Sequence, residues 1–554
     1  MGIYLGLDSS TQSLTAIAIE VDRGRRSVIF EKSLNFDECF PAYGTSNGVL
    51  PHDDPLIARS SPKLWADALE ALLALFSKDS GVDLRELRAI SGSGQQHGSV
   101  YLNASAARTL EKLDPTRMLV EQLSGIFSRD QSPIWMDSST EEECREITEA
   151  VGGDGVLALL TGSRAFERFT GPQIRKFYKE DPDGYERTAQ IHLVSSYMAS
   201  LLAGRHASID PGDGAGMNLM DLAGRRWAHV ALEATAPELE AKLPPLRDSW
   251  TIVGPLSPYW VKRYGFSPRT QVVSWSGDNP CSLIGVGLVK PGRIAISLGT
   301  SSTLFGFMPK PLVDPTGSGH VFGSPTGDFM SLICFENGSI ARESIRKAHH
   351  LDWAQFSRHL RETKPGNGGG VMLPWIKPEI TPRVHQPGIR RYSIDAKDPA
   401  ANVRGVVEAQ MMALAVHSQW MGVDVRTIHA TGGAARNREI LQVMADVLDA
   451  EVFQFEVSNS ACLGAALRAY HAELVSEKVQ VGWDEVTAGF TNPVLASRIA
   501  PDPACVAVYA ELKKLYAACE AHALRGGDNP ETLIAELRDK FGWKRLKTDA
   551  SSSS

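Results

Sequence analysis

Two stretches of this sequence, separated by about half of the chain, share one pattern. In each, an apolar run ends in a turn of small hydroxyl residues, and a second β-favouring run follows; the stretches span residues 3–19 and 293–307. The two turns align residue by residue: Asp8 with Ser297, Ser10 with Gly299, Thr11 with Thr300, and Ser13 with Ser302. Repetition of a structural unit indicates a duplicated domain, so we expect two similar α/β lobes.

The length of the chain also indicates more than one domain. Its 554 residues, of which 43% are hydrophobic, exceed the size of about 250–300 residues at which a single core stops growing. Residues 238–249 contain adjacent prolines and few core residues, so we place the domain boundary after them, near residue 271. The expected lobes are residues 1–271 and 272–554, with a disordered tail near residues 549–554.

Composition argues against several functions. A net charge of -8 is unfavourable for binding nucleic acids or anionic membranes. The seven cysteines are scattered and form no CxxC pair, which argues against a disulfide framework or a structural zinc site. The sequence contains no pattern typical of a secretion signal, and no apolar stretch approaches the ~18 residues of a membrane span. We therefore expect a cytoplasmic protein, either a monomer or a homodimer.

The first hydroxyl turn has residue types that bind phosphate. Small hydroxyl residues allow main-chain N–H groups to approach an anion, and Asp8 at the end of the strand could hold a cation that the same anion binds. The second turn has Ser297 in place of this carboxylate, so we expect a metal ion only at the first turn. The alternative for both turns is an ordinary hairpin whose hydroxyl groups satisfy turn amides.

Three further strands are predicted to end in glycine-containing turns, within residues 87–99, 271–280 and 426–437. In the turn within residues 271–280, Gly277 gives the chain room to direct the Asp278 carboxylate into a cleft, where the carboxylate could take a proton from a hydroxyl group. The alternative is an Asx turn that caps a helix at Pro280. In the turn within residues 426–437, Gly432 and Gly433 would let a flat base and ribose lie against the backbone. The alternative is a plain tight turn between a strand and a helix, which has the same sequence pattern.

Helical periodicity identifies two long helices. One is predicted over residues 61–76, with Pro62 at its first position and Trp65 in the core, and the other over residues 402–422. The segment 36–62 that precedes the first helix is rich in Pro, Gly, Asp and Ser and is predicted to be a long loop. Loops of this length are uncommon unless they have a function.

Taken in order, six motifs resemble the FGGY family of carbohydrate kinases. They are Asp8-Ser-Ser-Thr-Gln12, Ser91-Gly-Ser-Gly-Gln-Gln-His97-Gly-Ser99, Trp135-Met-Asp-Ser-Ser-Thr140, Glu167-Arg-Phe-Thr-Gly171, Gly277-Asp-Asn-Pro280 and Ala430-Thr-Gly-Gly-Ala434. The resemblance implies the two-lobed ATPase fold of actin, hexokinase and Hsp70, built from a duplicated ribonuclease-H-like domain, with ATP held at the lobe interface. The family has glycine where this chain has Ser10, which fits only a turn without positive φ there.

The resemblance also implies an enzyme that uses ATP and Mg²⁺ to phosphorylate a sugar. The motifs are most similar to those of the longer family members, which convert D-xylulose to D-xylulose 5-phosphate. Ribulose, glycerol and gluconate are alternative acceptors within the family. A different class is a non-kinase ATPase switch of the same superfamily, which would lack a carboxylate base in a sugar-sized pocket.

The resemblance gives the candidate residues their roles. Asp278 is the implied general base, and Asp8 the implied metal-site carboxylate. The implied sugar-binding residues are Gln96, His97, Gly98, Arg168, Asp278 and Asn279, with Asp137 as a weaker candidate. The implied ATP- and phosphate-binding residues are Ser10, Thr11, Gln12, Gly299, Thr300, Trp353, Gly432, Gly433, Ala434 and Asn437. For Arg168 the alternative is a surface ion pair with Glu167.

Overall fold

The computed structural model describes residues 2–22, 25–455 and 459–543. The chain divides into two compact units, each assembled from three segments. The first unit comprises Met1–Val289, Phe307–Met330 and Val457–Asn492, and the second comprises Lys290–Gly306, Ser331–Glu456 and Pro493–Ser554. The predicted boundary at residue 271 therefore lies inside the first unit. The predicted disordered tail, residues 549–554, lies outside the described residues.

A sheet of seven strands forms the centre of the first unit. The strands are β1 (Gly2–Ser9), β2 (Ser13–Asp22), β3 (Arg25–Asn35), β4 (Leu87–Gly94), β5 (Ile252–Pro255), β6 (Gln271–Val273) and β7 (Ser276–Gly277). Their order is β5-β6-β4-β1-β2-β3, and β7 pairs with the end of β4. β1, β2 and β3 are antiparallel neighbours, whereas β4 runs parallel to β1 and to β7. The carboxyl ends of β1, β4 and β7 therefore meet at one edge of the sheet.

The sheet of the second unit repeats this arrangement. Five of its six strands are β8 (Arg293–Leu298), β9 (Ser302–Met308), β10 (Phe329–Phe335), β11 (Thr427–Thr431) and β12 (Glu451–Gln454). Their order is β10-β9-β8-β11-β12, with β9 antiparallel to β8, β11 parallel to β8, and β12 parallel to β11. This order matches β3-β2-β1-β4-β6 of the first sheet, so the predicted duplication is confirmed.

Helices connect the strands in both units. Those of eight residues or more are α1 (Pro62–Asp79), α2 (Glu141–Val151), α3 (Asp154–Thr161), α4 (Thr170–Glu180), α5 (Val194–Ala203), α6 (Asp278–Gly285), α7 (Ser339–Ala348), α8 (Trp353–Glu362), α9 (Pro399–His417), α10 (Arg438–Leu448), α11 (Ser460–Ser476), α12 (Pro503–Arg525) and α13 (Glu531–Phe541). In the described part of the chain, none of the helices has the length and apolarity to cross a membrane. None of the seven cysteines, all of which lie in the described ranges, forms a disulfide bond.

The first sheet is buried on both faces. Leu5 and Leu7 of β1 lie in one core cluster with Trp65 of α1. Tyr4 points to the opposite face and lies in a second cluster with Leu467 of α11. This alternation follows from the two-residue period of a strand. Trp65 is fully buried, so its predicted place in the core is confirmed.

Glycines bring α11 into backbone contact with the first sheet and with α6. A Cβ on Gly6 of β1 would lie 2.1 Å from the carbonyl oxygen of Cys462, and a Cβ on Gly464 would lie 1.9 Å from the carbonyl oxygen of Cys281. This packing places α6 and α11 in the first unit, although both follow residue 271 in the sequence. The composition of a linker does not reveal this packing between distant segments, so a boundary inferred from composition cannot account for it.

Local signals explain where the predicted helices begin and end. α1 begins at Pro62 as predicted and continues three residues beyond the predicted end, to Asp79. The helix predicted over 402–422 begins earlier, at Pro399, because the Asp398 side chain accepts hydrogen bonds from the first free N–H groups, and it ends at His417. The predicted loop 36–62 contains two short helical turns, Phe36–Cys39 and Pro41–Tyr43.

Candidate active site

The turn between β1 and β2 contains three of the predicted phosphate-binding residues. The backbone N–H and the hydroxyl of Ser10 both donate to the carbonyl oxygen of Ser13 at 3.0 Å, which closes the turn. Ser10 is not among the residues with positive φ, so serine fits where the family has glycine. The Gln12 side chain is exposed and Thr11 is half-buried. The turn thus leaves Thr11 and Gln12 accessible, while the Ser10 hydroxyl closes the turn.

Asp8 is the next-to-last residue of β1, and its side chain is buried. The hydroxyl of Ser93, on the neighbouring β4, donates a hydrogen bond to Oδ1 of Asp8. Burial raises the pKa of Asp8 to about 7, and the nearby charge of Asp278 adds to this increase, although the bond from Ser93 opposes it. A buried carboxylate of this kind gains stability when a cation is present.

Asp278 is the first residue of α6 and directly follows β7. Burial raises its pKa to about 6, and N–H donors from Asn279 and Gln96 limit the increase. Such a carboxylate is mostly ionised at neutral pH and still binds a proton well, which favours general-base catalysis. Oδ1 also accepts from the Asn279 N–H at 2.8 Å, so the local turn role inferred from the sequence coexists with a half-buried carboxylate.

The side chains of Gln96 and Asn279 form one hydrogen-bonded network with Asp278. Nδ2 of Asn279 donates to Oε1 of Gln96 at 2.9 Å and to Oδ1 of Asp278 at 3.0 Å. Gly277 is needed beside this network, because a Cβ there would lie 2.4 Å from Cγ of Gln96. The structure therefore brings the predicted base into contact with two predicted sugar-binding residues.

His97 is buried in a left-handed backbone conformation, with a φ of 71°. Its Nδ1 lies 2.8 Å from the carbonyl oxygen of Gly216, and because a carbonyl oxygen only accepts, Nδ1 carries the proton. The ring stacks on Phe169 with centroids 4.3 Å apart. Burial and the charge of Arg168 lower the pKa of His97 to about 3. His97 is therefore neutral at physiological pH, and Nε2 is a hydrogen-bond acceptor.

The charge of Arg168 acts on His97 and helps to lower the pKa of that imidazole. Its guanidinium carbon lies 5.6 Å from the ring centroid of Phe166. Across the described residues the Arg168 guanidinium forms no ion pair, so the alternative pair with Glu167 is absent. Gly98 packs against α5, where a Cβ would lie 2.9 Å from a methyl carbon of Val194.

Asp137, the weaker candidate for sugar binding, is hydrogen-bonded to three other residues. Its side chain is buried and accepts hydrogen bonds from the Ala58 N–H at 3.1 Å, the Ser139 hydroxyl at 2.6 Å and the Gln173 amide at 2.8 Å. These donors occupy the carboxylate, which argues against a direct contact with sugar. Asp137 instead joins α4 to the loops that flank the hydroxyl turn.

Asp213 was not predicted as a site residue, and the charge of the candidate base Asp278 acts on its carboxyl group. Its side chain is buried, the hydroxyl of Ser195 donates to Oδ2, and Oδ1 has no partner in the described structure. Burial raises the pKa of Asp213 well above its usual value, and the charges of Asp210 and Asp278 contribute. The sequence signal was the acidic, glycine-rich segment 209–218, which from composition alone resembles an ordinary turn.

The turn between β8 and β9 in the second unit contains Gly299 and Thr300. The N-terminus of α7 packs against this turn, and the Ser339 N–H donates to the carbonyl oxygen of Gly299 at 2.9 Å. A Cβ on Gly338 would lie 2.6 Å from the carbonyl oxygen of Thr300. This close packing fixes the backbone of the second hydroxyl turn.

The strand β11 ends in the glycine turn predicted for the nucleotide. Gly432 has a φ of 86° and a ψ of 174°, a combination essentially restricted to glycine. A Cβ there would also lie 2.9 Å from the carbonyl carbon of Leu298. Gly433 is exposed and has open space at the position of a Cβ, and Ala434 follows it. The turn thus presents a surface almost without side chains.

Asn437 follows this turn directly, and its side chain contacts α8, the helix that begins at Trp353. Asn437 is the N-cap of α10: Oδ1 accepts from the N–H groups of Glu439 at 3.0 Å and Ile440 at 3.2 Å, and Nδ2 donates to the Ser357 hydroxyl at 2.8 Å. These bonds fix Asn437 at the start of α10, and its contact with the nucleotide stays a prediction. Trp353 is on α8 with Ser357, and its side chain is 47% exposed.

Comparisons with known proteins agree with this arrangement. Residues 131–285 and 294–473 match the N-terminal and C-terminal domains of the FGGY family of carbohydrate kinases. The xylulose kinase of Rattus norvegicus is 41% identical over 537 residues, which are 95% of this chain and 98% of that protein. This chain belongs to the FGGY family of carbohydrate kinases. The FGGY kinase is also 41% identical to the xylulose kinase of Mus musculus over 535 residues, 95% of each chain.

Among solved structures, the FGGY kinase is similar to xylulose kinase from Rhodospirillum rubrum. The TM-score is 0.77 at 20% identity, and the match covers 97% of this chain and 100% of the other. At this level of identity the similarity establishes the fold. With the family match and the curated relatives, the predicted fold class and enzyme class are confirmed: the protein is an α/β carbohydrate kinase that uses ATP.

Proposed function

We propose that this FGGY kinase transfers the γ-phosphoryl group of ATP to the C5 hydroxyl of D-xylulose, which yields D-xylulose 5-phosphate and ADP. The observation that carries the proposal is the Asp278 carboxylate, with its pKa of about 6 and its hydrogen-bonded neighbours Gln96 and Asn279. D-Xylulose is chosen as the acceptor because two relatives that are 41% identical are named xylulose kinases.

In this mechanism Asp278 acts as the general base. The sugar oxygen forms a bond to the γ-phosphorus while the bond from that phosphorus to the β–γ bridging oxygen breaks, and ADP leaves. The hydroxyl proton passes to the Asp278 carboxylate as the new bond forms. The product is a phosphate ester, and the protonated Asp278 then releases its proton to solvent.

The neighbouring side chains offer complementary groups for a polyhydroxylated substrate. The neutral imidazole of His97 accepts a hydrogen bond at Nε2, whereas the guanidinium of Arg168 only donates. Nδ2 of Asn279 is taken up by Gln96 and Asp278, so its carbonyl oxygen is left to accept from a sugar hydroxyl. A mixture of fixed donors and acceptors discriminates one arrangement of hydroxyl groups from another.

The position of Asp8 fits a magnesium ion held through water. The described residues contain no group of three or more acidic, histidine or cysteine side chains that could enclose a metal ion. Mg²⁺ does not require such a group, because it keeps several waters and binds through one or two carboxylates. The raised pKa of the buried Asp8 carboxylate indicates that a bound cation would stabilise its ionised form. When bound, Mg²⁺ would neutralise charge on the phosphate oxygens.

In the second unit, the nucleotide is assigned to the glycine turn and its neighbours. Gly432 and Gly433 would allow the adenosine to approach the backbone. The exposed indole of Trp353, at the start of the helix that Asn437 contacts, offers an aromatic face for the base. The turn of Gly299 and Thr300 is assigned to the phosphates, as are Thr11 and Gln12 of the first unit.

ADP formation should be measured with a panel of acceptors that includes D-xylulose, ribulose, glycerol and gluconate. We expect kcat/KM to be highest with D-xylulose and no turnover without an acceptor. A higher value with another acceptor would reassign the substrate. Hydrolysis of ATP at the same rate with and without acceptors would indicate a switch ATPase and contradict the kinase mechanism.

The role of the base can be tested with Asp278→Asn, which preserves the shape of the side chain. General-base catalysis typically contributes about 10²–10⁴-fold, so we expect kcat to fall by at least about 100-fold. Binding of D-xylulose, measured by calorimetry, should change by less than about fivefold, because the asparagine still hydrogen-bonds. Turnover near the wild-type rate would remove Asp278 from this role.

A further inference from the structure

The indole of Trp135 is hydrogen-bonded to the hydroxyl turn of the first unit. Its Nε1 lies 2.8 Å from Oγ1 of Thr11, a residue 124 positions earlier in the chain. An indole N–H can only donate, so the Thr11 oxygen is the acceptor in this bond. The two roles therefore follow from the chemistry of the two groups.

This bond limits what the Thr11 hydroxyl can do. A threonine hydroxyl has one proton and rotates to suit its surroundings. When the indole proton points at Oγ1, the hydroxyl cannot direct its own proton towards the indole without a clash of two protons. The Thr11 O–H is thus favoured to point away from Trp135 and to act as a donor.

The backbone of Thr11 is held from another direction by the segment 36–62. Gly48 has a φ of 77°, and a Cβ there would lie 1.8 Å from the carbonyl oxygen of Thr11. Asp37 fixes the segment at this point, since its carboxylate accepts from the Thr45 hydroxyl at 2.7 Å and from the Gly48 N–H at 3.1 Å. Thr11 is therefore fixed at its carbonyl as well as at its hydroxyl.

The loop that carries Trp135 is attached to the same segment. The Ile134 N–H donates to the carbonyl oxygen of Ala58 at 3.2 Å, and the Ser138 N–H donates to the carbonyl oxygen of Leu56 at 2.8 Å. The buried carboxylate of Asp137 completes the connection through the Ala58 N–H. These bonds on both sides of Trp135 hold the indole in place, even though 41% of the residue is exposed.

We propose that Trp135 is a positioning residue for phosphoryl transfer, whose indole N–H orients the Thr11 hydroxyl as a hydrogen-bond donor to the phosphate chain of ATP. The segment 36–62 supports both partners, which gives this long segment a function. The inference rests on the proposed kinase reaction and on the assignment of Thr11 to the phosphates. The inference adds Trp135, which acts through Thr11, to the residues assigned to the kinase reaction.

The first test is Trp135→Phe, which keeps an aromatic ring and removes the N–H group. We expect kcat/KM for ATP, measured at saturating D-xylulose, to fall about five- to tenfold, the usual scale for one hydrogen bond. Met136→Ala is the matched control, because Met136 is a neighbouring exposed side chain without this bond. Its kcat/KM for ATP should stay within about twofold of the wild type.

A double-mutant cycle with Thr11→Val separates positioning from general structural damage. If Trp135 acts through the Thr11 hydroxyl, Trp135→Phe has no further effect in the Thr11→Val background, whereas in a Thr11→Ser background its effect persists. Should Thr11→Val turn over too slowly, the same cycle is measured on the dissociation constant of a nonhydrolysable ATP analogue. Equal losses from Trp135→Phe in the wild-type and Thr11→Val backgrounds would overturn the inference.

The two proposals fail in different ways. A wild-type protein that does not phosphorylate D-xylulose or another sugar contradicts the proposed function. An active wild type whose kcat/KM for ATP is unchanged by Trp135→Phe leaves the proposed function intact and overturns the role of Trp135. Thermal unfolding of each variant verifies that a loss of activity does not come from a loss of folded protein.

Discussion

Asn279 and Gln96 are joined by a hydrogen bond of 2.9 Å, from Nδ2 of Asn279 to Oε1 of Gln96, across 183 positions of sequence. The same Nδ2 donates to Oδ1 of Asp278 at 3.0 Å. One amide group therefore connects the end of β4 with the start of α6 and holds the candidate base. The absent side chain of Gly277 leaves the space that Gln96 occupies.

Removal of this amide is expected to shift the pH dependence of the reaction. The side chain of Asn279 stabilises the ionised form of Asp278, so Asn279→Ala should raise the pKa of Asp278 from its value of about 6. Since the base must be ionised, the acidic limb of the kcat profile should move to higher pH. The loss of kcat should therefore be larger at pH 6 than at pH 8. An equal loss at both pH values would contradict this prediction.

Asp8 is predicted to lower the stability of the protein in the absence of Mg²⁺. Its pKa rises from 3.8 to about 7 on folding, so the folded state binds the proton more tightly between these pH values, and stability falls as pH increases through them. Asp8→Asn removes this cost. We expect a gain of about 1–3 kcal/mol in the free energy of unfolding at pH 8, and little at pH 4.

Denaturant unfolding at both pH values measures this effect, and Mg²⁺ provides the control. A cation that binds only the folded state stabilises it, so Mg²⁺ with ATP should raise the midpoint of the wild type more than that of Asp8→Asn. The same stability difference at pH 4 and pH 8 would show that Asp8 ionisation is not responsible. An equal response to Mg²⁺ would remove Asp8 from the metal site.

His97 is expected to remain neutral across the pH range of activity. Its pKa of about 3 reflects burial and the nearby Arg168, and the Gly216 carbonyl fixes the proton on Nδ1. Nitrogen-15 NMR should therefore detect one imidazole with a protonated Nδ1 that does not titrate between pH 5 and pH 8, and this signal should be missing from His97→Gln. Titration of the signal near pH 6.5 would contradict the assigned tautomer and its role as an acceptor.

Features encoded by neighbouring residues were predictable from the sequence. The two hydroxyl turns align in the structure as they do in the sequence, since Ser13 begins β2 and Ser302 begins β9 after turns of equal length. Their strands pair as expected from the duplication. The glycine turn at Gly432 was also predictable, because its backbone conformation excludes other residues.

Features that depend on distant residues were not predictable. The bond between Trp135 and Thr11 and the buried bond between Ser195 and Asp213 arise only when separate segments meet. The assignment of residues 457–492 to the first unit likewise depends on the packing of α11 against β1. Asn437 shows the same limit: it directly precedes the helix predicted from residue 438, but its bond to Ser357 of α8 joins residues 80 positions apart.

Adjacent glycines in the nucleotide turn should respond differently to alanine. Gly432→Ala forces a side chain into a glycine-only conformation and against Leu298, so we expect a loss of about 1–3 kcal/mol in stability. Gly433→Ala meets open space and should change stability by less than about 0.5 kcal/mol. If the adenosine lies on this turn, Gly433→Ala should nevertheless raise the KM for ATP, because its methyl group occupies the surface offered to the nucleotide. Chemical unfolding and steady-state kinetics on the two variants distinguish these effects. An unchanged KM for ATP in Gly433→Ala would place the adenosine elsewhere. Equal losses of stability in the two variants would contradict the geometry of the turn.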